Sequence, residues 1–303
     1  MSRGKKRRGE PIDGILLLDK QQGITSNKAL QQCRYLINAQ KGGHTGALDP
    51  LATGLLPLCF GQATKVSSFL LDTDKTYAVT ATLGKITDTG DADGEIIETT
   101  PVNLSEQDVK SACEKFIGEY DQVPPMYSAL KVNGQPLYKL ARQGIKIERK
   151  ARRVNAFDIR YEGFEGDVLR FEVDCSSGFY VRSLVEDIGN TLGCGAHVKT
   201  LRRTRIGKLR VADAMTFSEL EACSDNLERV AKLLPADQML DKFPLIKLNA
   251  EQKVELQHGR IVKLENEFQS AAPWVRIYGP QSNFLGLGKI NAEGQLAPKR
   301  LFV

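Results

Sequence analysis

Residues 42–61 read Gly-Gly-His-Thr-Gly-Ala-Leu-Asp-Pro-Leu-Ala-Thr-Gly-Leu-Leu-Pro-Leu-Cys-Phe-Gly. A single carboxylate, Asp49, stands here among glycines, small residues and aliphatics. Gly42, Gly43, Gly46 and Gly54 admit backbone conformations closed to other residues, and Pro50 biases Asp49 away from helix. The stretch therefore predicts a shaped loop. Apart from His44 and the hydroxyls of Thr45 and Thr53, no polar side chain lies nearby, so an ionised Asp49 needs a cationic partner from elsewhere in the chain. The competing reading is an aspartate that merely caps a turn, a common role of Asp-Pro. The stretch by itself leaves the two level.

On either side of this loop the periodicity sketches an α+β chain. Residues 12–19 are a short apolar run, read as a buried strand; Ser26 is placed to cap a helix over 26–39 with Leu30, Cys33, Leu36 and Ile37 on one stripe. Residues 76–83 alternate as a strand that carries Tyr77 near its start. The acid-rich segment 88–95 suggests a calcium loop, but setting Gly94 at the sixth position puts Thr89 first and Thr100 twelfth, where carboxylates are required. It is read as a hairpin turn. Ser105 and Asp108 form a capping box for a helix that turns Val109, Ala112, Cys113, Phe116 and Ile117 inward. Strand 168–175 precedes a helix marked by Val181, Leu184, Val185, Ile188 and Leu192, with Tyr180 and Arg182 at its entry. A helix over 218–234 and a linker over 235–244 follow. The last sixty or so residues are short apolar runs between turns, the pattern of a small β-barrel.

At 303 residues and 41 % hydrophobic content the chain suits one large domain and one small one. No apolar run approaches the roughly eighteen residues of a membrane span, and the basic start lacks a secretory segment, so a cytoplasmic protein is expected. The six cysteines are scattered without a C-x-x-C and are joined by three histidines, a pattern that argues against zinc or a disulfide framework. Net charge is +5, unevenly spread. Arg3, Lys5, Lys6, Arg7 and Arg8 form a basic arm. Lys139, Arg142, Lys146, Arg149, Lys150, Arg152 and Arg153 interleave with Tyr127 and Tyr138, and a third cluster, Lys199 to Arg210, contains no acid. Convergence on one face would bind nucleic acid in a salt-sensitive way, with aromatics stacking on bases. The bland alternative is a set of solvated faces.

Four stretches carry a resemblance: GGHTGALDPLATGLLP (42–57), KTYAVTATLGKITDTGDADG (75–94), PPMYSALKVNGQPLYKLARQG (124–144), and CSSGFYVRSLVEDIGNTLGCGAHV (175–198) followed by LRRTRIG (201–207). Together they resemble the bacterial TruB-type tRNA pseudouridine-55 synthases over nearly the whole chain. The resemblance implies a mixed, largely antiparallel sheet with flanking helices and a central cleft, joined to a small C-terminal PUA-like β-barrel. It divides the chain into a basic arm (1–10), a catalytic domain (11–240) with an RNA-binding insertion at about 124–153, and an RNA-binding domain (245–303). One departure is Gln21-Gln22 after Lys20, where the family usually has a proline.

The implied activity is isomerisation of uridine to pseudouridine at position 55 in the tRNA T-loop, with the base flipped out of the folded loop and no cofactor or metal. Asp49 matches the nucleophile and Arg182 the arginine that pairs with it, the cation the loop lacks. Attack at C6 of the base, attack at C1′ of the ribose and elimination are all open routes. Tyr77 matches a tyrosine stacked under the uracil near C5; a phenol of ordinary pKa about 10 is a poor base at neutral pH, so stacking is the firmer half of that role. Tyr180 and Leu201 match further base contacts, His44 a residue that fills the space left by the flipped nucleotide, and Lys20 a support of the loop. Arg142, Arg202 and Arg203 are expected on the RNA backbone, tRNA is the expected partner, and a monomer is expected. A tRNA-folding chaperone and a carboxylate-dependent N-glycosidase are the competing function classes.

Overall fold

In the first two long strands every second side chain turns to the same side, and two cores result. Strand β1 is Gly14–Lys20, helix α1 Ser26–Ile37, strand β2 Gly42–His44 and strand β3 Thr53–Phe60. Leu16, Leu18, Leu56, Leu58 and Phe60 enter one core together with α1, whereas Ile15, Leu17, Leu55 and Cys59 enter a second. Burial on both faces is why 12–19 reads as one continuous apolar run. The computed structural model describes residues 9–132, 134–145, 147–264 and 274–302; the basic arm from Arg3 to Arg8 and Lys146 lie outside the described residues.

A short helix α2 (Ser68–Leu71), strand β4 (Lys75–Leu83) and the hairpin β5 (Lys85–Thr87) and β6 (Ile96–Thr99) come next. Helix α3 (Glu106–Glu114) begins with the expected Ser105–Asp108 capping box and buries Val109, Ala112 and Cys113; Ile117, expected inward, lies beyond its end and is exposed. Strand β7 (Gly118–Gln122) leads into the 124–153 segment, which holds the small hairpin β8 (Lys131–Val132) and β9 (Gln135–Pro136) and helix α4 (Leu137–Ala141). Strands β10 (Arg152–Glu165) and β11 (Val168–Cys175), helix α5 (Val181–Thr191), and strands β12 (Ala196–Ile206) and β13 (Leu209–Arg210) complete the large sheet.

That sheet runs β1-β3-β12-β4-β11-β10-β7, with β2 on β3 and β13 on β12. Every pairing is antiparallel except β12 with β3. It is the mixed, largely antiparallel sheet expected, with α1, α3 and α5 against one core. The parallel crossing needs Gly54: its φ is 100°, and a Cβ there would meet the Arg203 carbonyl oxygen at 2.3 Å. The crossing matters because it sets the loop that leads into β3 across β12 from β4, where Arg203 pairs with Gly54 on one side and with Tyr77 on the other.

Three further expectations change. Thr25, not Ser26, caps α1 by accepting from the Lys28 amide, which frees Ser26 for the loop described below. The expected helix over 218–234 is two helices, α6 (Phe217–Ala222) and α7 (Asn226–Ala231), because the Asp225 side chain accepts from the Glu228 amide and starts a new one. The expected linker over 235–244 contains a 3-10 turn, Ala236–Leu240, whose Ala236 and Leu240 are buried in the second core.

The C-terminal segment forms a small sheet domain: β14 (Leu245–Lys247), helix α8 (Ala250–Gln257), β15 (Trp274–Tyr278), β16 (Phe284–Ile290) and β17 (Leu296–Leu301). The strands are adjacent in that order around a core of Ile246, Leu256, Val275, Ile277 and Leu296. It docks on the large domain through Trp274, edge-to-face with Phe69 at 4.9 Å, and through Lys65 Nζ, which donates to the Leu301 carbonyl at 2.6 Å. All six cysteines are buried free thiols, and burial pushes Cys33, Cys59, Cys113 and Cys175 up to about 12. Such thiols stay protonated and inert at neutral pH.

Candidate active site

The loop between β2 and β3 is tied down at nearly every turn. The Ser26 hydroxyl, buried at the start of α1, accepts from the Leu48 amide at 2.7 Å and donates to the Leu48 carbonyl at 2.9 Å. The Thr45 amide donates to the Pro57 carbonyl and the Gly23 amide to the Pro50 carbonyl. Lys20, 1 % exposed, donates to the carbonyls of Gln21, Ile24 and Pro50. Burial lowers its ammonium to about 8, against the pull of Asp49 in the opposite direction. Arg203 Nη2 donates to the Gly46 carbonyl at 3.1 Å and its Nε to that of Leu55 at 2.8 Å. These bonds satisfy backbone oxygens that would otherwise be stranded beneath the loop.

Arg182, in the first turn of α5, brings its Nε to 3.1 Å from Asp49 Oδ2. The rest of its fork is committed as well. Nη1 donates to the Thr89 carbonyl at 2.9 Å and faces the Asp91 carboxylate at 3.6 Å, and Nη2 donates to the Tyr127 carbonyl at 2.6 Å. A planar guanidinium is the side chain that can serve all four at once. Burial pushes the Asp49 carboxyl up from its ordinary value; Arg182 and Lys20 pull it down, while Asp91 and Asp93 push it further up.

Tyr77 and Leu201 sit on neighbouring strands, β4 and β12, and are buried in the same core. Burial pushes the Tyr77 phenol up, with the Arg203 guanidinium opposing and Asp49 adding to the rise. Tyr180, the residue before α5, is half-buried and its phenol is likewise raised by burial. His44 ends β2; burial and then Arg203 lower its pKa, so the imidazole is neutral, and its Nδ1 is buried without a hydrogen-bond partner. Two recesses, of about 380 and 630 Å³, are lined without Asp49, Arg182 or Tyr77. The Asp49 side chain is itself 40 % exposed, open to a group presented by a large substrate.

Asp49, Arg182, Tyr77, Tyr180 and Lys20 are thus gathered around one carboxylate. Arg142 is exposed and lies over the Tyr138 ring at 5.7 Å. Arg202 is partly exposed and paired with Asp19 at 2.6 Å. Arg203 departs from expectation: it is 1 % exposed, behind the loop, where no phosphate reaches it. The third basic cluster is also less free than its sequence suggests, since Arg205 pairs with Asp174 and Lys208 with Asp241. Two acids beside Arg182 were not singled out from sequence. Asp91 is buried in the β5–β6 turn, with Thr89 donating to it at 2.7 Å, and Glu186, one turn beyond Arg182 on α5, is raised by burial. The density of acids in 88–95 marks the segment but does not single out Asp91, since a hairpin turn accounts for it.

Comparison with known proteins agrees along the whole chain. Residues 34–181 match the TruB family pseudouridylate synthase N-terminal domain, 182–241 the tRNA pseudouridylate synthase B C-terminal domain, and 244–302 the C-terminal domain of pseudouridine synthase II TruB. The tRNA pseudouridine synthase B of Chromohalobacter salexigens is 52 % identical over 299 residues, covering 98 % of this chain and 96 % of the relative. That of Aromatoleum aromaticum is 51 % identical over 290 residues, covering 96 % and 92 %. Among solved structures, a chain of a Cbf5–Nop10–Gar1 complex superimposes with a TM-score of 0.70 at 23 % identity, covering 96 % of this chain and 85 % of that one, which shows a shared fold. With three domain matches in order and half of all residues identical across nearly full-length relatives, the chain belongs to the TruB family of pseudouridylate synthases.

Proposed function

We propose that this enzyme converts uridine to pseudouridine in tRNA, at position 55 of the T-loop, with Asp49 as the nucleophile. The observation that carries the reading is the 3.1 Å contact between Asp49 and a fully committed, buried Arg182. The reaction breaks the glycosidic bond, turns the base and joins C5 to the ribose, and a positioned carboxylate supplies the covalent step. Arg182 aims that carboxylate and opposes the upward push of burial on its pKa. Tyr77 acts as a stacking platform: with its phenol raised by burial it holds its proton more firmly than free tyrosine, so stacking outweighs base chemistry. Tyr180 and Leu201 border the base, and neutral His44, with a free Nδ1, stands where the flipped nucleotide leaves a gap.

The surrounding RNA is held by the exposed Arg142 and by Arg202, by the 124–153 segment, and by the C-terminal sheet domain. A tRNA-folding activity alongside catalysis follows from the same surface. Tritium release from tRNA labelled at uridine C5 tests the reading. An isomerase releases the label, retains the base and leaves pseudouridine at position 55; an N-glycosidase liberates free uracil; a chaperone does neither.

A further inference from the structure

We propose that Gln122 is a positioning residue for the Arg182–Asp49 pair, a role that rests on the isomerase reading above. Gln122 ends β7, opposite Arg152 on β10, and is 1 % exposed. A buried primary amide has to place both ends of its dipole, and here they close on the backbone N–H and C=O of one distant residue. Oε1 accepts from the Tyr180 amide at 2.8 Å, and Nε2 donates to the Tyr180 carbonyl at 3.0 Å and to the Tyr120 hydroxyl at 2.8 Å. The amide cannot be turned over, because that would set donor against donor and acceptor against acceptor.

Tyr180 is the N-cap residue of α5 and has no side-chain cap of its own. Its carbonyl also accepts the Leu184 amide, the first bond of the helix. Gln122 therefore fixes the peptide from which α5 departs, two residues before Arg182. The same junction is stitched twice more, by the Ser183 hydroxyl donating to the Val123 carbonyl and by Arg182 Nη2 donating to the Tyr127 carbonyl. Of these fastenings only Gln122 grips both polar atoms of the residue that sets the helix direction, and it transmits the position of the central sheet through β10 and β7. Small displacements of a reacting group are costly: a shift of about 1 Å can cost on the order of 10²-fold in rate. Gln122 itself donates to neither Asp49 nor Arg182, so its effect passes through Tyr180.

The test is tritium release and tRNA binding by Gln122→Ala and by Gln122→Met, which keeps the bulk of the side chain and removes the clamp. We expect both variants to lose kcat by about ten- to a hundredfold with KM and tRNA affinity within about threefold of wild type. We also expect the acid limb of their pH profile to move to higher pH, because Asp49 keeps Asp91 and Asp93 beside it while its hold on Arg182 slackens, with Lys20 unchanged. Full activity in Gln122→Met would overturn the proposal in favour of simple packing, as would a loss of tRNA binding in step with kcat. An inactive wild type would instead defeat the isomerase reading.

Discussion

Arg182 and Asp49 form an ion pair of unequal members: Nε and Oδ2 lie 3.1 Å apart, yet the arginine side chain is 5 % exposed and that of the aspartate 40 %. The cation is locked by Thr89, Tyr127 and Asp91 as well. The carboxylate is anchored on one side and open on the other. A fixed cation beside a reachable anion is the arrangement a carboxylate nucleophile needs, because the partner aims it without covering it.

The raised pKa of Asp49 has a thermodynamic consequence. An aspartate raised in the folded state binds more protons folded than unfolded, so its contribution to stability declines as pH climbs past the ordinary value of 3.8. Asp49→Asn removes that cost. The variant is expected to melt at a higher temperature than wild type at pH 7, with the difference shrinking as pH falls toward 3.8. Paired thermal melts across that range check it.

Arg182 serves two buried or half-buried acids and two carbonyls, so its removal affects fold and chemistry together. Arg182→Met leaves Asp91 uncompensated and is expected to destabilise by about 3–5 kcal/mol. Arg182→Lys keeps the charge but not the fork, with a smaller stability loss and a fall in kcat of about 10²-fold. Urea unfolding and single-turnover tritium release separate the two.

Lys20, lowered by burial to about 8, loses its proton within reach of the assay. Its stability contribution grows as pH rises from about 8 toward 10.5, since the unfolded chain then binds the extra proton. Its hold on the Pro50 carbonyl weakens over the same range. A basic limb near pH 8 is expected in the wild-type rate profile, and Lys20→Met should lose that limb and run slower at every pH.

The two kinds of arginine make opposite forecasts in salt. Arg142→Gln is expected to weaken tRNA binding and reduce the slope of log affinity against log salt by about one. Arg203→Gln should leave the slope alone and lower the melting temperature, since the Gly46 and Leu55 carbonyls lose their donors. Filter binding at several salt concentrations, with melts of the same proteins, reads both.

Arg202 and Arg203 also show where sequence reading stops. Side chains alternate across β12, so one neighbour emerges to meet Asp19 while the other runs into the core; charge counting merged them into one surface cluster. The alternation of β4 and β11, the Ser105 capping box and the need of Asp49 for a distant cation were legible, because each is set by local pattern or by a missing partner. Asp91 was not: turn chemistry explains 88–95 fully, and only the tertiary fold shows one of its acids turned inward to Arg182. Likewise Ser26 reads as a helix cap by its type, but Thr25 takes that role and leaves the Ser26 hydroxyl to hold Leu48. Break points such as Asp225 and the buried Ala236–Leu240 turn depend on competing caps and on packing, which apolar spacing does not rank.

The role of Asp49 as nucleophile is read out by single-turnover tritium release from C5-labelled tRNA by Asp49→Asn, with tRNA binding measured on the same protein. Asn preserves the size of the side chain and removes its charge. A nucleophilic Asp49 means no release above background with tRNA affinity nearly unchanged; release at an appreciable fraction of the wild-type rate would rule that role out.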